Sequence, residues 1–290
     1  MDITLALGGG GSKGNAHIGV LRKLEQEGFR VRAIAGTSFG GLVAAFYALG
    51  FAPDEIEALF ETVDQARLYG HLPGDGASLL GLAGAAKWLD QHIGKRTFAD
   101  TRLPCALTGV DLNAAREVIL AEGSIKDAIL ATIAVPGLFP PRRIDQWNLV
   151  DGGALDPVPV SVARALAPRL PVVAVALTSP IGEPTRDMRI SLPAYVPAPI
   201  ARHLSNLSYA QAFDIFVYAA EIVNRQMTEL RLAADQPEVV IRPAVQHINL
   251  LDKVDVSAVA KLGELAVEQA LPELRRAVSL PARISRLMRG

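Results

Sequence analysis

The sequence predicts a three-layer α/β/α fold around a mainly parallel sheet. Three observations carry that expectation. Short apolar runs alternate with helical patterns from the first residues onward. The first two runs each close in a glycine-containing turn that opens directly into a helix. Half of the 290 residues are hydrophobic, enough to cover a sheet on both faces. A single domain over 1–290 is expected, with a core over about 3–180 and a helical C-terminal part over about 200–280.

The elements follow in order. "ITLAL" (3–7) reads as a buried strand, and 15–28 as a helix with Ile18, Leu21 and Leu24 on one face and Gly28 as its stop. "VRAIAG" (31–36) is a second strand, and "GGLVAAFYALG" (40–50) an apolar helix. The β-α-β-α order makes the two strands parallel, so the turns at 8–14 and 36–40 open on the same sheet edge, where open α/β folds bind ligands. An amphipathic helix follows over 54–67, then a glycine-rich apolar stretch over 73–86, which reads as a loosely packed loop and helix or as a cover over a site. "CALTGVDL" and "REVILAEG" are strands around "NAA", and 124–133 is a helix. "QWNLVDGG" ends another strand and "PVVAVALT" (171–178) is a buried one. The prolines of 180–200 argue for a long surface connection. Helical patterns fill 203–233 and 255–277, with a strand at "EVVIRP" between them.

Composition narrows the function classes. A net charge of −1 gives no electrostatic reason for a nucleic-acid partner. The basic ending "PARISRLMRG" reads as a solvated or frayed terminus, with an anionic surface contact as the minority reading. The single cysteine, Cys105, rules out an internal disulfide framework and is expected to be a buried, inert thiol. No Cys/His cluster has zinc spacing. The N-terminus shows no leader pattern, and no stretch has the length of a membrane-spanning helix. The expected location is the cytoplasm, with a peripheral membrane contact open.

The chemistry concentrates in three motifs. Gly9-Gly10-Gly11-Ser12-Lys13-Gly14 fits G-x-G-x-x-G between a strand and a helix, the context of a dinucleotide fingerprint. That fingerprint also needs an acidic residue at the end of the second strand. Here the strand ends in "AIAGTS", which argues against a nicotinamide or flavin site. Gly36-Thr37-Ser38-Phe39-Gly40 instead matches G-x-S-x-G, the nucleophile elbow, in which Gly36 and Gly40 relieve crowding around an exposed serine hydroxyl. A serine nucleophile gives the glycine loop a chemical role. Backbone N–H groups without Cβ interference can stabilise the oxyanion of an acyl transfer, helped by the following helix N-terminus. Lys13 either strengthens that field or is a solvated loop lysine. A serine needs a proton acceptor. None of the five histidines lies in a hydrolase-like context, and His17 reads as a packed helix residue. Asp151, ahead of Gly152 and Gly153 in "NLVDGG", is the other candidate, with a plain D-G turn as its alternative.

Together "GGGGSKG", "GTSFGG" and "DGG", with "ATIAVPGLFPP" (131–141) before the last, resemble the motifs of the patatin-like phospholipase family over roughly residues 3–180. "GELAVEQALPEL" is similar to that family's closing helix. The resemblance implies a Ser–Asp dyad without histidine: Ser38 the nucleophile and Asp151 the base. It implies an oxyanion hole over Gly9, Gly10, Gly11, Lys13 and Gly14, with Gly10 and Gly11 the main donors and Gly9 and Gly14 shaping the loop. It also implies an acyl-lipid substrate, with no cofactor and no metal. The family often carries another residue where this chain has Gly8. The alternatives weighed are a nucleotide-binding module using the glycine loop and a general carboxylesterase or thioesterase.

Overall fold

The computed structural model describes residues 1–71, 76, 78–182 and 207–289. Residues 183–200 of the proline-rich connection and part of the glycine-rich stretch therefore lie outside the described residues. The described strands are β1 (Asp2–Leu7), β2 (Arg30–Gly36), β3 (Cys105–Asp111), β4 (Arg116–Leu120), β5 (Arg142–Ile144), β6 (Trp147–Asp151), β7 (Val172–Val175) and β8 (Val239–Ile241). They form one sheet in the order β5-β6-β3-β2-β1-β7-β8, with β4 also paired to β3. The pairs β1–β2, β1–β7, β2–β3 and β7–β8 are parallel, and the three pairs involving β4, β5 and β6 are antiparallel.

The described helices are α1 (Ala16–Gln26), α2 (Phe39–Ala48), α3 (Pro53–Glu61), α4 (Gln65–Leu68), α5 (Ala83–His92), α6 (Ile125–Thr132), α7 (Val160–Leu166), α8 (Leu207–Asp235), α9 (Val256–Ala277) and α10 (Leu280–Arg289). Their starts follow local chemistry. Ser124 caps α6 by accepting the Asp127 N–H, and Asp255 caps α9 by accepting the Ala258 N–H. The expected helix over 54–67 is divided into α3 and α4, and the expected helix over 15–28 begins as a 3₁₀ turn over Gly11–Asn15. β5, α7 and α10 have no counterpart in the sequence reading. The basic ending is helical, though Leu280 stays 68% exposed.

The alternation of side chains along each strand makes the two sheet faces different. One face carries Ile3, Leu5, Leu7, Ile34 and Leu107 into the larger core, under α1, α2, α3, α6 and α9. The opposite face carries a row of alanines that the strand register aligns: Ala106 beside Ala35, Ala35 beside Ala6, Ala6 beside Ala174. Small side chains leave room there for α7, whose Val160, Val162 and Ala163 pack on the row together with Leu232 of α8. These are the two outer layers the sequence predicted, one thick and one thin.

The C-terminal helix α9 is bound into the first layer by a close crossing with α1. A Cβ on Gly19 would lie 1.7 Å from the carbonyl oxygen of Ala260, and one on Gly263 would lie 1.9 Å from that of Ala16. Only glycine at both positions lets the backbones approach so closely. The crossing holds the start of α1, and hence the glycine loop before it, against the C-terminal third of the chain. Among the described residues no helix is long and apolar enough to cross a membrane.

Candidate active site

The sheet itself brings Ser38 and Asp151 together. Leu107 of β3 pairs with Gly36 of β2 and also with Leu120 of β4, so β2 and β4 lie on opposite edges of β3. Gly109 pairs with Asp151 of β6 and with Val118 of β4, which puts β6 on the same edge as β2. β2 runs parallel to β3 and β6 runs antiparallel, so their carboxyl ends advance on each other along one edge. They stop two β3 residues apart, one at Gly36 and the other at Asp151. Ser38 follows at the turn between them.

That turn is strained. Ser38 has φ 56° and ψ −128°, a conformation that costs a side-chain-bearing residue about 1–3 kcal/mol. Several bonds hold it there. The Ser38 N–H donates to Thr132 Oγ1 at 2.8 Å, and its carbonyl accepts from Leu42 N at 3.1 Å. The Thr37 N–H donates to the Leu7 carbonyl, and its hydroxyl shares a 2.7 Å bond with Thr108. The flanking glycines are required by space: a Cβ on Gly36 would meet Gly40 O at 2.5 Å, and one on Gly40 would meet Leu7 O at 2.4 Å. Thr132 is a residue that sequence reasoning did not single out, although it lies within the 131–141 segment. Thr132→Val keeps the shape and removes the acceptor. It should lower stability by about 1–3 kcal/mol in urea unfolding, because the buried Ser38 N–H loses its partner.

Asp151 is 5% exposed. Its N–H donates to Ala134 O at 2.9 Å, and its Oδ1 accepts the Gly153 N–H at 2.8 Å. Burial pushes the carboxyl up to about 6, while hydrogen bonding from the Ser38 hydroxyl and the Gly153 amide pulls it down. The turn after it is tight: a Cβ on Gly152 would fall 2.1 Å from Thr108 Oγ1. Gly153 is further tied to α8, its carbonyl accepting from Asn224 Nδ2 at 3.2 Å.

The glycine loop lies against this pair. An ideal Cβ on Gly9 would sit 3.1 Å from the Ser38 Cβ. The amides divide into two sets. Gly8 N donates to Val175 O, Gly9 N to Pro157 O and Ser12 N to Leu250 O. The N–H groups of Gly10 and Gly11 have no acceptor among the described residues, and Gly11 takes φ 56°. The Gly9 amide is thus occupied by the Pro157 carbonyl. Lys13 is not a free solvated lysine: its ammonium lies 3.0 Å from Glu221 on α8. Gly14 packs beneath the Phe39 ring.

Ser38, Gly11 and Ser12 line a cavity of about 670 Å³ whose walls are mostly apolar, among them Phe39, Leu42, Phe60, Leu82 and Trp88. Among the described residues no histidine lines it. His17 is buried against the Gly8 carbonyl, and His203 lies outside the described residues. Ala83–His92, which begins inside the 73–86 stretch read as a loose segment or a cover and runs past its end, is a helix that supplies Ala85, Trp88 and Leu89 to this wall. Cys105 is buried and its thiol is pushed up to about 12, as an inert core thiol should be. Among the described residues no three His, Cys, Asp or Glu side chains are grouped to hold a metal ion.

Comparison with known proteins adds further findings. A family model described as patatin-like phospholipase matches residues 5–164. An uncharacterized NTE family protein of Mycobacterium tuberculosis is 29% identical over 274 residues, covering 91% of this chain and 75% of that protein. Lysophospholipase NTE1 of Mycosarcoma maydis is 32% identical over 184 residues, covering 58% of this chain and 9% of the fungal protein. Among solved structures, VipD from Legionella pneumophila aligns with a TM-score of 0.57 at 13% identity, covering 93% of this chain and 66% of that one, a likeness of fold.

Proposed function

The chain belongs to the patatin-like phospholipase family, and on that premise we propose that it hydrolyses acyl-lipid esters, phospholipids or lysophospholipids, through a Ser38–Asp151 dyad. The observation that carries this reading is the convergence of the two strand ends, which puts a strained serine against a buried carboxylate at the wall of an apolar cavity.

The chemistry takes two steps. Ser38 Oγ attacks the ester carbonyl while its proton passes to Asp151. A free aspartate near 3.8 is a weak base, and burial brings Asp151 to about 6, closer to what the transfer needs. Negative charge develops on the former carbonyl oxygen, where the amides of Gly10 and Gly11, which have no acceptor among the described residues, stabilise it. The alcohol leaves with the proton from Asp151, giving an acyl-serine. Water then attacks the acyl carbon, Asp151 takes the proton again, and the fatty acid departs as Ser38 regains its hydrogen. The cavity volume falls within the range of ligand-binding pockets, and its apolar walls suit an acyl chain. The fungal relative's name, lysophospholipase, supports a lipid substrate.

The test combines labelling with a substrate panel. A fluorophosphonate should modify Ser38, located by peptide mass spectrometry. Purified protein should release fatty acid from lysophosphatidylcholine or phosphatidylcholine faster than from short p-nitrophenyl esters and acyl-CoA. Preference for acyl-CoA would make it a thioesterase, and preference for short esters a general carboxylesterase. No labelling together with no hydrolysis across the panel overturns the reading.

A further inference from the structure

His17 is fully buried on the first turn of α1, and its Nε2 lies 2.7 Å from the carbonyl oxygen of Gly8. A carbonyl only accepts, so Nε2 carries the proton and donates. Nδ1 is then a buried acceptor, and it has no partner among the described residues. Burial lowers the ring to about 4, so it is neutral at physiological pH. A buried imidazole with one open acceptor is a poor choice for packing alone, since an aliphatic side chain would fill the space with no polar atom of its own left unpaired. What the imidazole supplies is the bond to Gly8.

That bond acts on one peptide group. The peptide joining Gly8 to Gly9 offers its C=O to His17 and its N–H to Pro157 O at 2.9 Å. Neither flanking residue has a side chain to restrict rotation, and glycine backbones are the most permissive. Clamping both ends of this peptide sets the direction in which the chain enters Gly10 and Gly11, whose N–H groups are left without acceptors among the described residues.

We infer that His17 is a positioning residue for the oxyanion loop: its Nε2–H fixes the Gly8–Gly9 peptide so that the Gly10 and Gly11 amides are preorganised beside Ser38. The inference rests on the hydrolase reading above. It predicts a change in turnover with little change in substrate binding, because oxyanion donors act on the transition state.

The experiment compares His17→Leu with His17→Gln in the full chain. Leucine removes the donor, and the terminal amide of glutamine can place an N–H near the position of Nε2. Fluorophosphonate titration counts reactive serines, so kcat is expressed per titrated site. His17→Leu should lose about 100-fold in kcat, the scale of one oxyanion donor, with KM within about threefold. His17→Gln should recover at least about tenfold of that loss. His17→Leu should still unfold cooperatively, because the loss of the donor to the buried Gly8 carbonyl is partly offset by removal of the unpaired Nδ1. The two-bond ¹⁵N spectrum of the wild-type ring should show the Nε2–H tautomer at pH 7. The inference is overturned if His17→Leu turns over at the wild-type rate per site, if glutamine gives no recovery while folding normally, or if the ring is the Nδ1–H tautomer. A wild type that neither labels nor hydrolyses removes the hydrolase reading, and this inference with it. An active wild type with an unaffected His17→Leu removes this inference alone.

Discussion

Ser38→Ala should abolish ester hydrolysis, by roughly 10⁴–10⁶-fold, while leaving a folded protein with normal affinity for acyl chains. The magnitude follows from the proposed chemistry: with no hydroxyl there is no acyl-enzyme, and only water positioned by the oxyanion donors remains. The stability expectation follows from the backbone. Ser38 sits at φ 56°, ψ −128°, and alanine inherits that strain unchanged. Ser38→Gly does not, because glycine adopts positive φ at no steric cost. The relief, about 1–3 kcal/mol, exceeds the roughly 0.4–1 kcal/mol that glycine's greater unfolded-state freedom takes back. Ser38→Gly should therefore melt about 2–4 °C above Ser38→Ala. Both should be inert. Calorimetry of the two variants separates a strained functional turn from an ordinary one, since equal melting temperatures would mean the turn stores no strain. Retained hydrolysis in Ser38→Ala would remove the nucleophile from the mechanism.

The part of this site that was legible in the sequence is the part that is local. The glycine loop and G-x-S-x-G each lie within one strand–turn–helix, so spacing alone located them. The parallel β1–β2 pair then followed from topology, as the register of Leu7 beside Gly36 bears out. What was not legible depends on distant pairing. Nothing near Asp151 says that β6 will dock on the same edge of β3 as β2; in the sequence only the family resemblance linked residue 151 to residue 38. Ser12 is braced by Leu250 and Asp252, some 240 residues later, and Lys13 by Glu221. These partners come from the C-terminal third, where the resemblance was weakest. Gly9 is likewise held from a distance: its amide is taken by the carbonyl of Pro157, a partner that no local pattern predicts. α7 escaped notice because it is short and bounded by Pro159. Its helical identity depends on the alanine row it covers.

Asp151→Asn should slow hydrolysis by about 10²–10⁴-fold, the range a general base contributes, and should stabilise the protein at neutral pH. The two effects have one origin. In the folded chain the Asp151 carboxyl titrates at about 6 against 3.8 unperturbed, principally because it is buried. Below pH 3.8 the carboxyl is protonated in both folded and unfolded chains, and the shift costs nothing. Between 3.8 and 6 the unfolded chain ionises first, so wild-type stability falls as pH rises. Above 6 the folded carboxylate is ionised too, and the deficit levels off at about 3 kcal/mol. Asparagine carries no charge and can still accept the Gly153 N–H, so Asp151→Asn should gain up to that amount above pH 6 and converge on wild type near pH 4. Activity runs the other way. The base works only when ionised, so wild-type kcat/KM should climb about tenfold per pH unit below 6 and plateau above it. A stabilising substitution that removes activity is the expected signature of a buried catalytic carboxylate. Urea unfolding of both proteins from pH 4 to pH 8, beside the wild-type rate profile, tests both halves. A profile flat through pH 6, or an asparagine variant less stable than wild type at pH 8, would show that Asp151 is a structural turn residue and that another group takes the Ser38 proton.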